Sequence, residues 1–264
     1  MNRYVKMIVP RFMRFPIRRL ATRVRHLGVR RYCPVCRSGL RAFLPAGVVT
    51  QRPDAICPVC YSYERHRLAW FFLRDHTNLL DGLRKRVLHV APEFEVKRRL
   101  ERFSYLDYFS ASLSGVGTRI QLDINSISFP ADYFHVIYCS HVLEHVLEDR
   151  KAMREFHRVL KPEGWALLQV PIAAGLEKTF EDPSVVDPKE RERLFEQEDH
   201  VRLYGADYSD RLREAGFCVK VLHGIDLIGN NKATRWGIDP TEDIFFCRKS
   251  QNGDSANRID NRAV

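Results

Sequence analysis

The tetrapeptide Cys-Pro-Val-Cys occurs twice in this chain, at 33–36 and at 57–60. A Cys-x-x-Cys turn brings two thiolates to one metal ion, and a second turn of the same kind completes a tetrahedron. Proline preorganises each turn, and the length of the intervening segment, 37–56, is typical of zinc sites with four cysteine ligands. The spacing therefore predicts a zinc ion bound by Cys33, Cys36, Cys57 and Cys60.

A zinc site with four protein ligands has no open coordination position, so we expect this metal to support folding rather than catalysis. A redox role is the alternative for one such pair, but two identical pairs at this spacing favour metal binding. The apolar stretch within 40–50 suits a ribbon hairpin, and we assign residues 32–62 to a zinc-ribbon-like module. A connecting helix is expected within 63–85. Its Arg-His-Arg run at 65–67 either faces a ligand or, as we favour, lies on a solvated face.

The positive charge of the chain is concentrated at its start. Residues 1–31 contain ten Arg and Lys residues and no Asp or Glu, which equals the formal net charge of +10 for the whole sequence. Apolar residues are interleaved with these charges, so this basic N-terminal arm suits an anionic membrane surface or, as a less favoured partner, nucleic acid. Pro10 and Pro16 argue against one continuous helix. An arm that is solvated, or packed on the body of the protein, is the alternative.

Short apolar runs alternate with helical patterns over 86–249, which predicts an α/β domain with a mainly parallel, doubly wound, Rossmann-like sheet. Helices are expected at 148–160, where a stop signal follows at Lys161–Gly164, and near 207–215. The polar tail, 250–264, is expected to be disordered. The predicted strands are 87–90, 105–112, 119–124, 134–140, 165–172, 217–222 and 243–247.

The bulk properties are those of a globular protein. The chain has 264 residues, 45% of them hydrophobic, which suffices for one α/β domain and a small module. No apolar stretch approaches the roughly 20 residues of a membrane span, and no signal peptide is visible. An odd number of cysteines, seven, argues against a disulfide framework, and Cys139, Cys218 and Cys247 are expected to be buried in strands. We therefore expect a cytoplasmic protein, which the basic arm can place at the inner membrane surface.

Motifs between residues 123 and 172 resemble those of class I S-adenosylmethionine-dependent methyltransferases of type 11. The sequence reads His-Val-Leu-Glu-His-Val at 141–146 and Arg-Val-Leu-Lys-Pro-Glu-Gly at 158–164. The resemblance extends less sharply from 86 to 247, and the whole chain also resembles a bacterial branch with an N-terminal cysteine-pair module. It implies S-adenosylmethionine as cofactor and methyl transfer as the reaction.

The resemblance also implies a place for each part of the cofactor. The first strand and the loop after it would face the methionine part, the end of the second strand the ribose, and the residues after the third strand the adenine. The end of the fourth strand would lie near the transferred methyl group. The residues at these places are, in that order, His89, Ala91 and Glu93; Ser112; Asp123 and Ile124; and Ser140 with His141.

This chain departs from the family pattern in the first loop. The family usually has an Asp in the first strand and glycines after it, and this chain has His89, Ala91, Glu93 and Glu95. Glycine allows close approach of the backbone to a ligand, so the loop is expected to have a different shape or to leave the site empty. Two other acidic positions of the family are occupied by Ser112 and His135.

Two histidines are candidate catalytic residues, because histidine titrates near working pH and can accept a proton from an acceptor. His141 follows the fourth strand, and His200 lies in a polar cluster after the fifth strand. A surface or helix-capping cluster is the alternative for His200. Glu144 and His145 are expected to begin the next helix, and the charged insertion 173–198 resembles a lid.

Three functions remain open from the sequence. The favoured one is methyl transfer to a small-molecule, glycan or lipid-linked acceptor. The second is an RNA methyltransferase that uses the zinc module and the basic arm to bind phosphates. The third is an adaptor with the methyltransferase fold and no catalytic activity, which the first loop without glycine would suit.

Overall fold

The computed structural model describes residues 20–47 and 51–249. Three sequence-based predictions therefore fall partly or wholly outside the described residues. They concern residues 1–19 of the basic arm, residues 48–50 of the apolar stretch, and the predicted disordered tail at 250–264.

The chain divides into two compact units. The cysteine unit comprises the described residues up to Thr77 together with His223–Glu242, and the sheet unit comprises Asn78–Leu222 together with the described residues from Asp243 onward. Residues 223–242 are predicted from the sequence to belong to the α/β domain, but in the structure they group with the cysteine unit.

The strands and helices below are numbered in chain order. The strands are β1 Leu27–Cys33, β2 Ser38–Leu40, β3 Leu44–Ala46, β4 Arg52–Ile56, β5 Lys85–Val90, β6 Leu106–Ser112, β7 Ile120–Gln121, β8 Phe134–Ser140, β9 Leu160–Gln169, β10 Phe180–Glu181, β11 Arg202–Leu203, β12 Phe217–His223 and β13 Asp243–Lys249. The helices are α1 Glu64–Asp75, α2 Phe94–Leu100, α3 Asp149–Val159, α4 Pro188–Phe195, α5 Tyr208–Glu214, α6 Gly224–Ile228 and α7 Asn230–Trp236, with a 3-10 turn at Leu143–His145.

The cysteine unit is built on two antiparallel strand pairs, β1 with β2 and β3 with β4. Each Cys-Pro-Val-Cys turn follows the longer strand of its pair, since Cys33 ends β1 and Cys57 comes directly after β4. The ribbon-like strands are thus present within the described residues. The connecting helix predicted within 63–85 forms as α1.

The interpretation of the 65–67 run as a solvated face is wrong for Arg67, whose side chain is completely buried. Its guanidinium donates to the backbone carbonyls of Ala55 at 2.9 Å, Ser62 at 2.8 Å and Asp54 at 3.1 Å, and also to that of Gly237. Buried carbonyls need donors, and one arginine serves four carbonyls from three chain segments. Arg67 therefore organises the interior of the cysteine unit.

The sheet unit contains a seven-stranded sheet of order β12-β13-β9-β8-β5-β6-β7. The central strands are parallel, and β13 runs antiparallel to β9. The chain builds outward from β5 through β6 to β7 and then returns to place β8 on the other side of β5, so the order reverses between β5 and β8. This topology confirms the predicted doubly wound α/β class, and the reversal is where such sheets bind ligands.

The predicted helix at 148–160 is confirmed by α3, but the stop signal at Lys161–Gly164 lies inside β9 instead of in a loop. Phe134 pairs with Leu160 and Val136 with Trp165, so the intervening residues of β9 form a bulge. A Cβ at Gly164 would lie 2.9 Å from the carbonyl oxygen of His135. The bulge therefore requires glycine at this position.

The third predicted strand, 119–124, is reduced to β7, Ile120–Gln121. The Asp123 side chain accepts a hydrogen bond from the Asn125 amide at 2.8 Å, which forms a local turn and ends the strand. Among the isolated cysteines, Cys139 and Cys247 are buried as predicted, whereas Cys218 is exposed. Cys218 alternates with the buried Phe217 on β12, which is why its side chain points away from the core.

Candidate active site and four-cysteine centre

The four predicted metal ligands come together. All are buried, and their ligand atoms lie within 4.8 Å of one another. The Sγ atoms of Cys33 and Cys60 are 3.6 Å apart, and those of Cys36 and Cys57 are 3.7 Å apart. Tetrahedral zinc with bonds of about 2.3 Å requires sulfur separations of about 3.8 Å. The cluster is therefore compatible with a structural zinc ion.

The two cysteine turns have the same backbone geometry. The amide of Arg37 donates to the Cys33 carbonyl at 2.8 Å, and the amide of Tyr61 donates to the Cys57 carbonyl at 2.8 Å. Arg37 and Tyr61 both have left-handed backbone, with φ of 56° and 59°. The turns therefore aim their cysteines in the same way, because each ends on a residue with positive φ, as the C-terminal turn of a helix does.

The predicted cofactor residues lie at the carboxyl edge of the sheet. Val90, the last residue of β5, pairs with Ala111 of β6 and with Cys139 of β8. The next residue on each strand is Ala91, Ser112 or Ser140, so these three predicted residues are neighbours at one edge. Together they lie at the strand-order reversal, and the crevice outside the strand ends at such a reversal is where an α/β sheet binds its ligand.

Two non-glycine residues with left-handed backbone flank this crevice. Ala91 has φ of 45° at the end of β5, and His141 has φ of 54° at the end of β8. A hydrogen bond from the backbone amide fixes each residue to a neighbouring strand. The Ala91 amide donates to the Ala111 carbonyl at 2.7 Å, and the His141 amide donates to the Gln169 carbonyl at 2.8 Å. Such conformations are costly and persist where the surrounding structure enforces them, often at functional sites.

A buried polar network fills the space behind the first loop. His89 is completely buried, with Nδ1 2.8 Å from the Tyr108 hydroxyl and Nε2 2.9 Å from Glu93. The hydroxyl of Tyr138 donates to the other carboxylate oxygen of Glu93 at 2.8 Å. Burial raises the pKa of the Tyr108 phenol, so this group stays protonated. His89 therefore supports the loop from beneath, and Glu93 connects the loop to two strands.

The residues predicted to face ribose and adenine differ in exposure. Ser112 is half-buried, and its hydroxyl lies 3.1 Å from the Gly115 amide and 3.3 Å from the Thr118 hydroxyl. Asp123 is exposed, whereas Ile124 is buried in the main hydrophobic core. Of this group, Ser112 and Asp123 present polar side chains at or near the surface.

Glu144 connects the two predicted catalytic histidines. Its Oε1 lies 3.3 Å from Nδ1 of His141, and its backbone carbonyl accepts from the Val201 amide at 2.9 Å, which holds the segment that carries His200. The His145 and His200 rings are 4.7 Å apart. Burial lowers the pKa of His200 and favours its neutral form. Glu144 and His145 do not begin the next helix as predicted, because α3 begins only at Asp149, and the sequence pattern gave no sign of this cluster.

The family described as a methyltransferase domain matches residues 87–168. These residues run from β5, through the crevice and the turn at 143–145, into β9. Residues 87–168 are therefore similar in sequence to methyltransferase domains. The matched segment includes every predicted cofactor residue, whereas His200 lies beyond it.

One curated relative is 32% identical over 111 residues, which is 37% of this chain and 43% of that protein. It is the ubiquinone/menaquinone biosynthesis C-methyltransferase UbiE of Vibrio campbellii. The chain thus spans less than half the length of this relative.

Solved structures with a similar arrangement include an S-adenosylmethionine-dependent methyltransferase of Mesorhizobium loti. It has a TM-score of 0.45 at 15% identity and covers 69% of this chain and 98% of its own. The [4+2]-cyclase SpnF has a TM-score of 0.46 at 17% identity, over 71% of this chain and 83% of its own. Within the part of the chain that the structure describes, no helix has the length and apolar character needed to cross a bilayer.

Proposed function

We propose that the methyltransferase domain transfers a methyl group from S-adenosylmethionine to a small-molecule, glycan or lipid-linked acceptor. The observation that carries this proposal is the strand-order reversal between β5 and β8, flanked by the left-handed residues Ala91 and His141. This is the ligand-binding position of a doubly wound sheet, and it lies in the segment that matches the methyltransferase family.

The residues at the crevice provide polar groups suited to the cofactor. We assign the adenine amine to the exposed carboxylate of Asp123, with Ile124 contributing its backbone because its side chain is buried in the core. We assign a ribose hydroxyl to Ser112, and the methionine part to the loop at Ala91 and Glu93. Since Glu93 is anchored by Tyr138 and His89, this loop keeps one shape without glycine.

Bound S-adenosylmethionine supplies a methyl group on a sulfonium ion. The protein contributes alignment of the acceptor with that methyl group and exclusion of water, which are the main requirements of such a transfer. His141 and Ser140 lie at the end of β8, and we assign them to the acceptor side of the crevice. His141 is proposed to hydrogen-bond the acceptor, with Glu144 orienting its ring from 3.3 Å.

Calorimetric titration tests the cofactor site. Full-length protein with its cysteine centre loaded with zinc is titrated with S-adenosylmethionine and with S-adenosylhomocysteine. Micromolar binding that Asp123→Ala weakens about tenfold or more, the loss expected for a hydrogen bond to a charged group, supports the proposal. Asp210→Ala is the matched control, because Asp210 is an exposed aspartate on α5 in the same unit. Folded, metal-replete protein that binds neither compound overturns the proposal and favours the adaptor.

A further inference from the structure

We propose that Glu144, His145 and His200 bind a divalent transition-metal ion, distinct from the zinc of the cysteine centre. We further propose that this ion binds two neighbouring oxygen atoms of the methyl acceptor. The first part stands on the geometry of three side chains, and the second part rests on the proposed function.

The three side chains converge. One ligand atom from each lies within 4.8 Å of the other two, and the His145 and His200 rings meet edge to face at 77°. Two imidazoles and one carboxylate are a common ligand set for Zn²⁺, Fe²⁺ and Mn²⁺. A single ion at their centre would have all three within reach after small side-chain movements.

The Glu144 carboxylate is the strongest sign that a cation belongs here. The side chain is 1% exposed, and its Oε2 has no hydrogen-bond partner among the described residues. A buried carboxylate oxygen without a partner is costly. His141 occupies only the other oxygen, Oε1, so a metal ion at Oε2 would supply the missing interaction.

Both histidines are held in the tautomer that a metal requires. Nδ1 of His200 lies 3.0 Å from the Phe195 carbonyl, and Nδ1 of His145 lies 3.2 Å from the Asp199 carbonyl. A carbonyl oxygen can only accept, so each Nδ1 carries the proton and each Nε2 keeps its lone pair. A hydrogen bond from the second ring nitrogen to a carbonyl is the usual support of a metal-binding histidine.

The chain segments that carry the ligands are fixed to each other by Arg202. Its guanidinium donates to the carbonyls of Leu143 at 2.9 Å and Leu147 at 2.9 Å, and also to that of Val146. Arg202 itself is 3% exposed. The turn that carries Glu144 and His145 is thereby joined to the segment that carries His200, so the site is formed before a metal ion arrives.

The place of the cluster suggests what the ion does. Three protein ligands leave coordination positions open, unlike the closed cysteine centre. Two of its ligands, Glu144 and His145, follow closely after Ser140 and His141, and Glu144 contacts His141 on the side where the acceptor is expected. An ion there would bind oxygen atoms of the acceptor, which favours an acceptor with two adjacent oxygens, such as a diol, a catechol or a hydroxyketone.

Titration with Mn²⁺ tests the site, because Mn²⁺ prefers oxygen and nitrogen to the thiolates of the cysteine centre. Full-length protein, with zinc in the cysteine centre, is titrated while free Mn²⁺ is followed by electron paramagnetic resonance. We expect one Mn²⁺ per chain and binding weakened at least about tenfold in Glu144→Gln and His145→Gln. Glu148→Gln, the same substitution at an exposed glutamate nearby, should bind Mn²⁺ like the unchanged protein.

Two outcomes overturn the metal site. One is the absence of Mn²⁺ binding by folded protein, and the other is equal binding by Glu144→Gln and Glu148→Gln. His145→Gln covers the case in which Glu144→Gln does not fold, since His145 is only half-buried. S-adenosylhomocysteine binding is measured in the same samples. Protein that binds Mn²⁺ but not S-adenosylhomocysteine contradicts the proposed function alone. Protein that binds S-adenosylhomocysteine but not Mn²⁺ contradicts the metal site alone.

Discussion

Nε2 of His89 lies 2.9 Å from Oε2 of Glu93, so a completely buried imidazole in β5 holds the carboxylate of the loop that follows. This contact fixes a first loop that contains no glycine. Glycine shapes a loop through backbone freedom, whereas here two hydrogen-bonded side chains fix a loop that contains Ala91 in a left-handed conformation.

Glu93→Ala should destabilise the sheet unit. It removes the partner of the buried His89 and of the Tyr138 hydroxyl, and a buried polar group left without a partner costs about 1–3 kcal/mol. Urea unfolding should show this loss, while Glu192→Ala, at an exposed position on α4, should leave stability within about 0.5 kcal/mol. Equal stability of the two variants would contradict the supporting role of Glu93.

Cys57→Ser should remove one zinc ion per chain and unfold the cysteine unit. Zinc binding supplies much of the folding free energy of small metal-dependent modules, and three ligands cannot close the tetrahedron. Metal analysis of dialysed protein, together with thiol titration, measures the effect. Cys218→Ser is the control because Cys218 is exposed and lies outside the cluster. Unchanged zinc content in Cys57→Ser would rule out the four-cysteine centre.

Arg67→Met should cost about 3 kcal/mol or more, because four backbone carbonyls lose a buried, charged donor. The guanidinium also lies 4.0 Å from the centre of the Phe43 ring, a cation–π contact that methionine cannot make. Arg65→Met, two residues earlier on α1 and half-buried, should have a smaller effect. Thermal unfolding of the two zinc-loaded variants measures this difference. Similar melting temperatures of Arg67→Met and Arg65→Met would exclude the central role of Arg67.

The free energy of unfolding should fall in acid, in part because the Glu181 carboxylate becomes protonated. Burial opposes ionisation of this carboxylate, but hydrogen bonds from Arg211 and Arg202, each 2.8 Å long, outweigh it and lower its pKa. A lowered carboxyl pKa stabilises the folded state above the unfolded value of about 4.3, and this contribution is lost as pH falls through the folded pKa. Urea unfolding between pH 7 and pH 3 should show a loss that is smaller in Glu181→Gln. If the stability of the unchanged protein and of Glu181→Gln falls in parallel with pH, Glu181 does not contribute to the loss in acid.

Much of the fold follows from local sequence patterns. β8 has the predicted bounds, and α3 differs from its prediction by one residue at each end, because both depend on apolar periodicity within one segment. The bulge at Lys161–Gly164 was not predictable in this way. Its stop signal is real for α3, but pairing with β8 draws the same residues into a strand.

The sequence by itself determined the cysteine centre and the α/β class, since ligand spacing and strand–helix alternation are properties of short segments. Only the tertiary structure decided that Arg67 is buried and that Glu144 and His145 meet His200. These contacts join residues far apart in the chain, so no local sequence pattern predicts them. The meeting of Glu144 and His145 with His200 arises because the carboxyl ends of parallel strands, and the segments that return over them, meet at one edge of the sheet.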